Sequence, residues 1–165
     1  AQLFEKGNWK SFWTNRGTSG IEGSASTAIG HCMSTGVNTV LITGDISFFY
    51  DSNAFWNEAL PTNFRIILVN NSGGGIFRYI PGPTSVDHFE RFFESTHKLN
   101  AKGIAETFDI EYTSANCEED VQARLAELFE LSGNRPRLLE IFTPRELNDK
   151  VLNDYFKFIS SKRPY

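Results

Sequence analysis

VLITGD at residues 40–45 and IILVNN at residues 66–71 decide how this chain is read, with 24 residues separating Asp45 from Asn70. Each is a short apolar run rich in β-branched residues that stops abruptly in polar ones, the pattern of a parallel strand buried on both faces. Between them Ser52 to Leu60 carries Phe55, Ala59 and Leu60 at helical spacing and is closed by Pro61, which predicts a strand, helix, strand unit.

Working outward, Trp9 to Thr14 alternates aromatic and polar residues like a strand ending at Asn15-Arg16-Gly17. Gly23 to Thr35 is rich in small residues suited to a helix lying close on a sheet. Pro81 to Ser85 is loop chemistry, and Val86 to Leu99 reads equally as a short helix or an ordered loop; the whole span 81–99 is a candidate for a segment that closes over a ligand. Beyond it the pattern predicts a helix over Ala101–Phe108, a short edge strand over Ile110–Tyr112, an amphipathic helix over Glu119–Leu131, a strand over Arg137–Phe142 and a closing helix over Leu147–Ile159. This alternation implies an α/β fold, a three-layer open parallel sheet with helices on both faces. Ligands bind such sheets outside the carboxyl ends of the strands, so Asn15-Arg16-Gly17, Gly44-Asp45 and Asn70-Asn71 share one rim.

The 165 residues, 40% hydrophobic, are enough for one well-buried core, and residues 1–165 are read as a single domain. A net charge of −4 without a basic stripe argues against a nucleic-acid partner. No apolar run is long enough to span a bilayer and no stretch resembles a signal peptide, so the expected location is the cytoplasm. Cys32 and Cys117 lack metal-ligand spacing and are read as reduced thiols. Ala1 to Lys6 reads like the tail of a helix ending at Gly7, as if the chain were a piece of a longer protein.

Gly44-Asp45 at one strand end and Asn70-Asn71-Ser72-Gly73-Gly74 at the next resemble the motif of thiamine-diphosphate enzymes, in order and in separation. Singly, Gly-Asp and Asn-Asn are common in caps and tight turns; their combination at the ends of two strands points to a cofactor. The resemblance implies a diphosphate-binding domain. Its physics is consistent: Mg²⁺ (or Mn²⁺) prefers oxygen ligands shared between protein and phosphates. Asp45 offers a carboxylate, Asn71 an amide oxygen and Gly73 a main-chain carbonyl, while backbone N–H groups at Ile46 and Ser47 face the phosphates from a helix start.

Asn15-Arg16-Gly17-Thr18-Ser19-Gly20-Ile21-Glu22-Gly23, Gly44-Asp45-Ile46-Ser47 with Asp51 and Asn53, and Asn70 through Phe77 are similar to one branch of these enzymes. That branch makes 2-succinyl-5-enolpyruvyl-6-hydroxy-3-cyclohexene-1-carboxylate in menaquinone biosynthesis. The similarity is dense from Thr14 to Pro81; Glu22 and Ser72 depart from the branch's usual Asp and Asn. It implies decarboxylation of 2-oxoglutarate and addition of the resulting succinyl-semialdehyde carbanion to isochorismate. Arg16 would then hold a substrate carboxylate, with a plain surface ion pair as its alternative. Ile21 would keep the cofactor bent and Ile76 and Phe77 would line the substrate pocket, against simple core packing. The activating glutamate is expected in a pyrimidine-binding domain of the same protein or of a neighbouring subunit, so no catalytic residue is assigned in this chain and a homo-oligomer is expected. An acetolactate synthase, an oxo-acid decarboxylase and a non-catalytic α/β interaction module stand as alternatives. His31, His88 and His97 sit in no motif and receive no role, and Glu118-Glu119-Asp120 reads as an acidic first helical turn.

Overall fold

The computed structural model describes residues 11–15, 17, 20–57, 60–130 and 132–162. Strands β1 (Thr39–Gly44), β2 (Phe64–Asn70), β3 (Glu111–Ala115) and β4 (Arg137–Phe142) form one sheet in the order β1-β2-β4-β3. Every pairing is parallel, with Leu41 opposite Ile66, Ile66 opposite Leu138, and Tyr112 opposite Leu138. The helices are α1 (Ser24–Thr35), α2 (Asp45–Tyr50), α3 (Phe89–Phe92), α4 (Lys102–Thr107), α5 (Glu118–Leu128) and α6 (Asn148–Lys162).

Successive side chains of a strand point to opposite faces, and here each face has its own cover. Leu41, Ile66, Leu68 and Leu138 pack against Ala25, Ile29 and Cys32 of α1, Phe48 of α2 and Ala105 of α4. On the other face Ile67, Leu139 and Ile141 meet Val121, Leu125 and Leu128 of α5. The sheet is therefore the middle of three layers, as the alternating pattern implied. Small residues on the inner side of α1 let it lie close: Ala25 is 2% exposed, and Ala28 packs against the same cluster.

Two local expectations are corrected. Residues 11–14 form no strand, Trp9 and Lys10 lying outside the described residues; alternation alone does not make a strand without a neighbour to pair with. The helix after β1 starts at Asp45, not at Ser52, and Ser52–Phe55 is a single 3-10 turn; Glu58 and Ala59 are outside the described residues. Burying Phe48 and Phe55, at 0% and 1% exposure, settles this register over the weaker spacing of Phe55, Ala59 and Leu60. The span left open between Val86 and Leu99 contains the one-turn α3 followed by an irregular stretch. The expected helical tail at Ala1–Lys6 is outside the described residues.

β4 carries a carboxylate through the core. Glu140 is fully buried; its Oε1 accepts from Asn70 Nδ2 at 2.7 Å, and its Oε2 from Ala101 N–H at 3.0 Å and the Tyr112 hydroxyl at 2.7 Å. One side chain thus ties together the end of β2, the start of α4 and the edge strand β3. Burial, and then the hydrogen bond to Glu140, push the Tyr112 phenol well above its ordinary 10.0.

Two outcomes follow for unfolding measured with urea. Leu68→Ala should lower stability by about 2–5 kcal/mol, since Leu68 is wholly enclosed between sheet and helices. Because the Tyr112 pKa is raised on folding, its contribution is complete below the unfolded value and is lost as pH rises beyond it, the unfolded chain giving up the proton first. Tyr112→Phe should therefore show a smaller loss of stability between about pH 9 and about pH 11 than the parent chain.

Candidate functional site

Gly44 lies opposite Val69 across the β1–β2 pair, so the two chains leave the sheet side by side. The first turns into α2 at Asp45 with no intervening loop; the second ends at Asn70 and enters the turn Asn71–Gly74. Asp45 is 2% exposed. Its Oδ1 accepts from Ile46 N–H at 2.8 Å, and its Oδ2 accepts from Gly73 N–H at 2.9 Å. The Asn71 side-chain oxygen stands 3.2 and 3.3 Å from the two carboxylate oxygens and 2.6 Å from the Gly73 carbonyl oxygen.

Four oxygens with partial or full negative charge thus converge. Two arrangements relieve the repulsion: the Asn71 amide turns over and donates to the same oxygens, or a cation sits among them. A carboxylate, an amide oxygen and a main-chain carbonyl make the hard-oxygen set that suits Mg²⁺ or Ca²⁺ rather than a soft metal. Among the described residues no group of three or more His, Cys, Asp or Glu gathers to hold a metal.

The turn bearing Asn71 and Gly73 is held from below. Asn70 donates to Glu140 and to the Leu99 carbonyl at 3.0 Å, and its Oδ1 accepts from Ser72 N–H at 3.0 Å. Ser72 takes a φ of 62°, and Gly73 a φ of 154° with the Glu94 carbonyl oxygen 2.8 Å from where a Cβ would stand; only glycine passes there without strain. From the facing segment the Glu94 carbonyl accepts from Gly74 N–H at 2.6 Å, and His97 N–H donates to the Ser72 carbonyl at 3.2 Å. That segment is itself gripped: Glu94 is fully buried and its Oε2 accepts from Arg78 at 2.7 Å and from Arg145 at 3.0 Å. The hydrogen bond to Glu94 is the chief reason that the Arg78 guanidinium is held above its ordinary pKa.

The remaining residues named from the sequence divide. The Ser47 hydroxyl donates to the Ile21 carbonyl, which brings Ile21, 43% exposed, to the same rim. Ile46 has spent its N–H on Asp45, leaving fewer amides for an anion. Ile76 is 62% exposed, whereas Phe77 turns back on Phe93 with ring centroids 5.9 Å apart. Asp51 serves α1, its carboxylate accepting from Ser26 N–H at 3.0 Å and from the Ser26 hydroxyl at 2.9 Å. Arg16 lies outside the described residues.

Sequence reasoning passed over Glu94, Glu140 and His97. A glutamate inside the apolar run RLLEIF was a usable signal, because a buried carboxylate requires partners. Nothing local marks His97, yet its Nε2 comes within 3.2 Å of Asp45 Oδ2. Two concavities lie away from this rim, one around Lys102, Asp109, Tyr112 and Arg135, the other around Met33, Asn53 and Trp56; neither includes Asp45, Asn71 or Gly73.

The family described as thiamine pyrophosphate enzyme, C-terminal TPP binding domain, matches residues 1–141. The chain is 52% identical over 161 residues to the 2-succinyl-5-enolpyruvyl-6-hydroxy-3-cyclohexene-1-carboxylate synthase of Christiangramia forsetii, and 49% identical over 159 residues to that of Flavobacterium psychrophilum. These alignments cover 98% and 95% of the chain, which spans 28% of the length of each curated relative. In structure it is similar to a thiamine diphosphate-dependent 4-hydroxybenzoylformate decarboxylase of Rhodococcus jostii, with a TM-score of 0.53 and 21% identity over 71% of this chain and 22% of that one.

Proposed function

This chain belongs to the thiamine pyrophosphate enzyme family as its C-terminal TPP-binding domain, and from that premise we propose that Asp45, Asn71 and the Gly73 carbonyl hold a Mg²⁺ (or Mn²⁺) ion that anchors the cofactor's diphosphate. The observation that carries the reading is that the Asn71 side-chain amide, the Asp45 carboxylate and the Gly73 carbonyl converge within 3.3 Å just past two paired strand ends, an oxygen-rich set that suits such a cation. Gly44 ends β1 so that Asp45 emerges at the rim and opens α2, where we assign Ser47 to the cofactor while Ile46 N–H serves to hold Asp45. Ile21, tethered through its carbonyl to Ser47, is the apolar residue we assign to support of the bent cofactor.

When bound, thiamine diphosphate supplies the electron sink for loss of CO₂ from a 2-oxo acid. The chain's part is orientation and charge balance: Asp45 is a buried carboxylate that offsets the ion's charge, and Gly73 N–H keeps one of its oxygens in place. Arg16 is assigned to a substrate carboxylate, and Ile76 and Phe77 to the pocket wall, where exposed Ile76 is the residue available for contact.

Since the chain spans 28% of its relatives, the activity belongs to a larger assembly. We assign to that assembly the decarboxylation of 2-oxoglutarate and carboligation to isochorismate in menaquinone biosynthesis, in the cytoplasm. A pyrimidine-binding domain, from the same protein or a neighbouring subunit of a homo-oligomer, supplies the activating glutamate. The names of the relatives at 52% and 49% identity favour this over an acetolactate synthase or an oxo-acid decarboxylase. Among the described residues no helix is long and apolar enough to cross a membrane.

In the full-length enzyme, Asp45→Ala should abolish Mg²⁺-dependent thiamine-diphosphate binding in calorimetry while the enzyme still folds, with an unfolding midpoint lowered because Ile46 and Gly73 N–H lose their acceptor. Unaltered cofactor affinity would exclude the metal site. The 165-residue chain alone, given cofactor and Mg²⁺, should release no CO₂ from 2-oxoglutarate under conditions where the full-length enzyme does; release by the chain alone contradicts the shared-site reading.

A further inference from the structure

The Nε2 atom of His97 is buried and completes no hydrogen bond, and Asp45 Oδ2 is the acceptor within reach, at 3.2 Å. The other ring nitrogen, Nδ1, accepts from Leu99 N–H at 3.1 Å. A nitrogen that accepts cannot carry the proton of a neutral imidazole, which leaves Nε2, the ring nitrogen nearer Asp45, as the donor. Buried donors without a made bond are rare, and one lying 3.2 Å from a carboxylate of a candidate ion site calls for a role.

The ring is held on every side. Phe49 meets it edge-on with centroids 5.4 Å apart at 90°. Its own N–H donates to the Ser72 carbonyl, and the segment before it is fixed by Glu94 between Arg78 and Arg145. The segment after it is fixed by Ala101 N–H on Glu140. His97 therefore touches both halves of the candidate site, Asp45 by its side chain and the Asn71–Gly74 turn by its backbone.

We propose that His97 is a positioning residue: its Nε2–H and the Gly73 N–H together set the plane of the Asp45 carboxylate for the cation. The proposal rests on the metal reading above. A donor of this kind on a ligating carboxylate fixes its orientation, and losing one typically costs 10–100-fold in metal affinity.

The test uses the full-length enzyme and measures Mg²⁺ affinity in the presence of thiamine diphosphate by calorimetry, with an unfolding midpoint for each variant. His97→Phe keeps an aromatic ring against Phe49 and the backbone bond to Ser72 but has no N–H to offer; its Mg²⁺ affinity should fall by about 10–100-fold. His97→Gln restores a side-chain N–H and should recover most of that loss, a rescue that a purely space-filling role would not produce. Wild-type affinity in His97→Phe overturns the proposal, and so does a His97→Gln variant as weak as His97→Phe. If His97→Phe does not fold, the comparison of His97→Gln with His97→Ala decides in the same way, equal affinities overturning the proposal. Absence of Mg²⁺ binding by the wild type would overturn the metal reading itself, an outcome distinct from normal wild-type binding that ignores His97.

Discussion

Parallel pairing of β1 on β2, with Gly44 opposite Val69, is the constraint on which the site depends. Parallel neighbours end at the same edge of a sheet, so whatever residues terminate them are delivered together. Here one strand delivers a carboxylate and the other two consecutive asparagines and a glycine turn. Had the strands been antiparallel, Asp45 and Asn71 would leave from opposite edges. The pairing is maintained by burial on both faces, Leu41, Ile66 and Leu68 under α1 and α2, and Ile67 beside α5.

Among the described residues four carboxylates are buried, and the three around the Asn71–Gly74 turn, Asp45, Glu94 and Glu140, differ in their surroundings. Glu94 faces two guanidinium groups, which balance its charge directly. Glu140 carries no cation but receives three neutral donors, enough to occupy its oxygens in the low-dielectric core. Asp45 accepts from two backbone N–H groups, with the Asn71 side-chain amide and the His97 imidazole beside it. Glu94 and Glu140 are complete within the chain, whereas Asp45 is the carboxylate assigned above to a positive ion. The distinction separates the proposed ligand from the supports that hold the Asn71–Gly74 turn.

Much of the fold was legible because it follows from local periodicity. The apolar runs at 40–42, 66–69 and 137–142 are strands, and the patterned stretches after Gly23, Glu118 and Leu147 are helices within three residues of their expected bounds. The helix after β1 was misplaced for a physical reason: DISFFY has aromatic residues that are indifferent helix formers, and it is the enclosure of Phe48 that makes them helical. Residues 11–14 erred the other way, since alternation describes a face and not a partner.

The local chain determined which oxygens lie at which strand ends, because a strand's end and the residues just past it are properties of a few consecutive positions. Asp45, Asn71 and Gly73 were named from those positions, and the tertiary structure brings the three together. What only the packed molecule decided is everything that reaches them from far along the chain: Glu140 beneath Asn70, Glu94 beneath Gly74, and the imidazole of His97 against Asp45. Contacts between distant segments arise when separate elements bury their apolar faces against one another, and no short window of sequence contains both sides of such a contact.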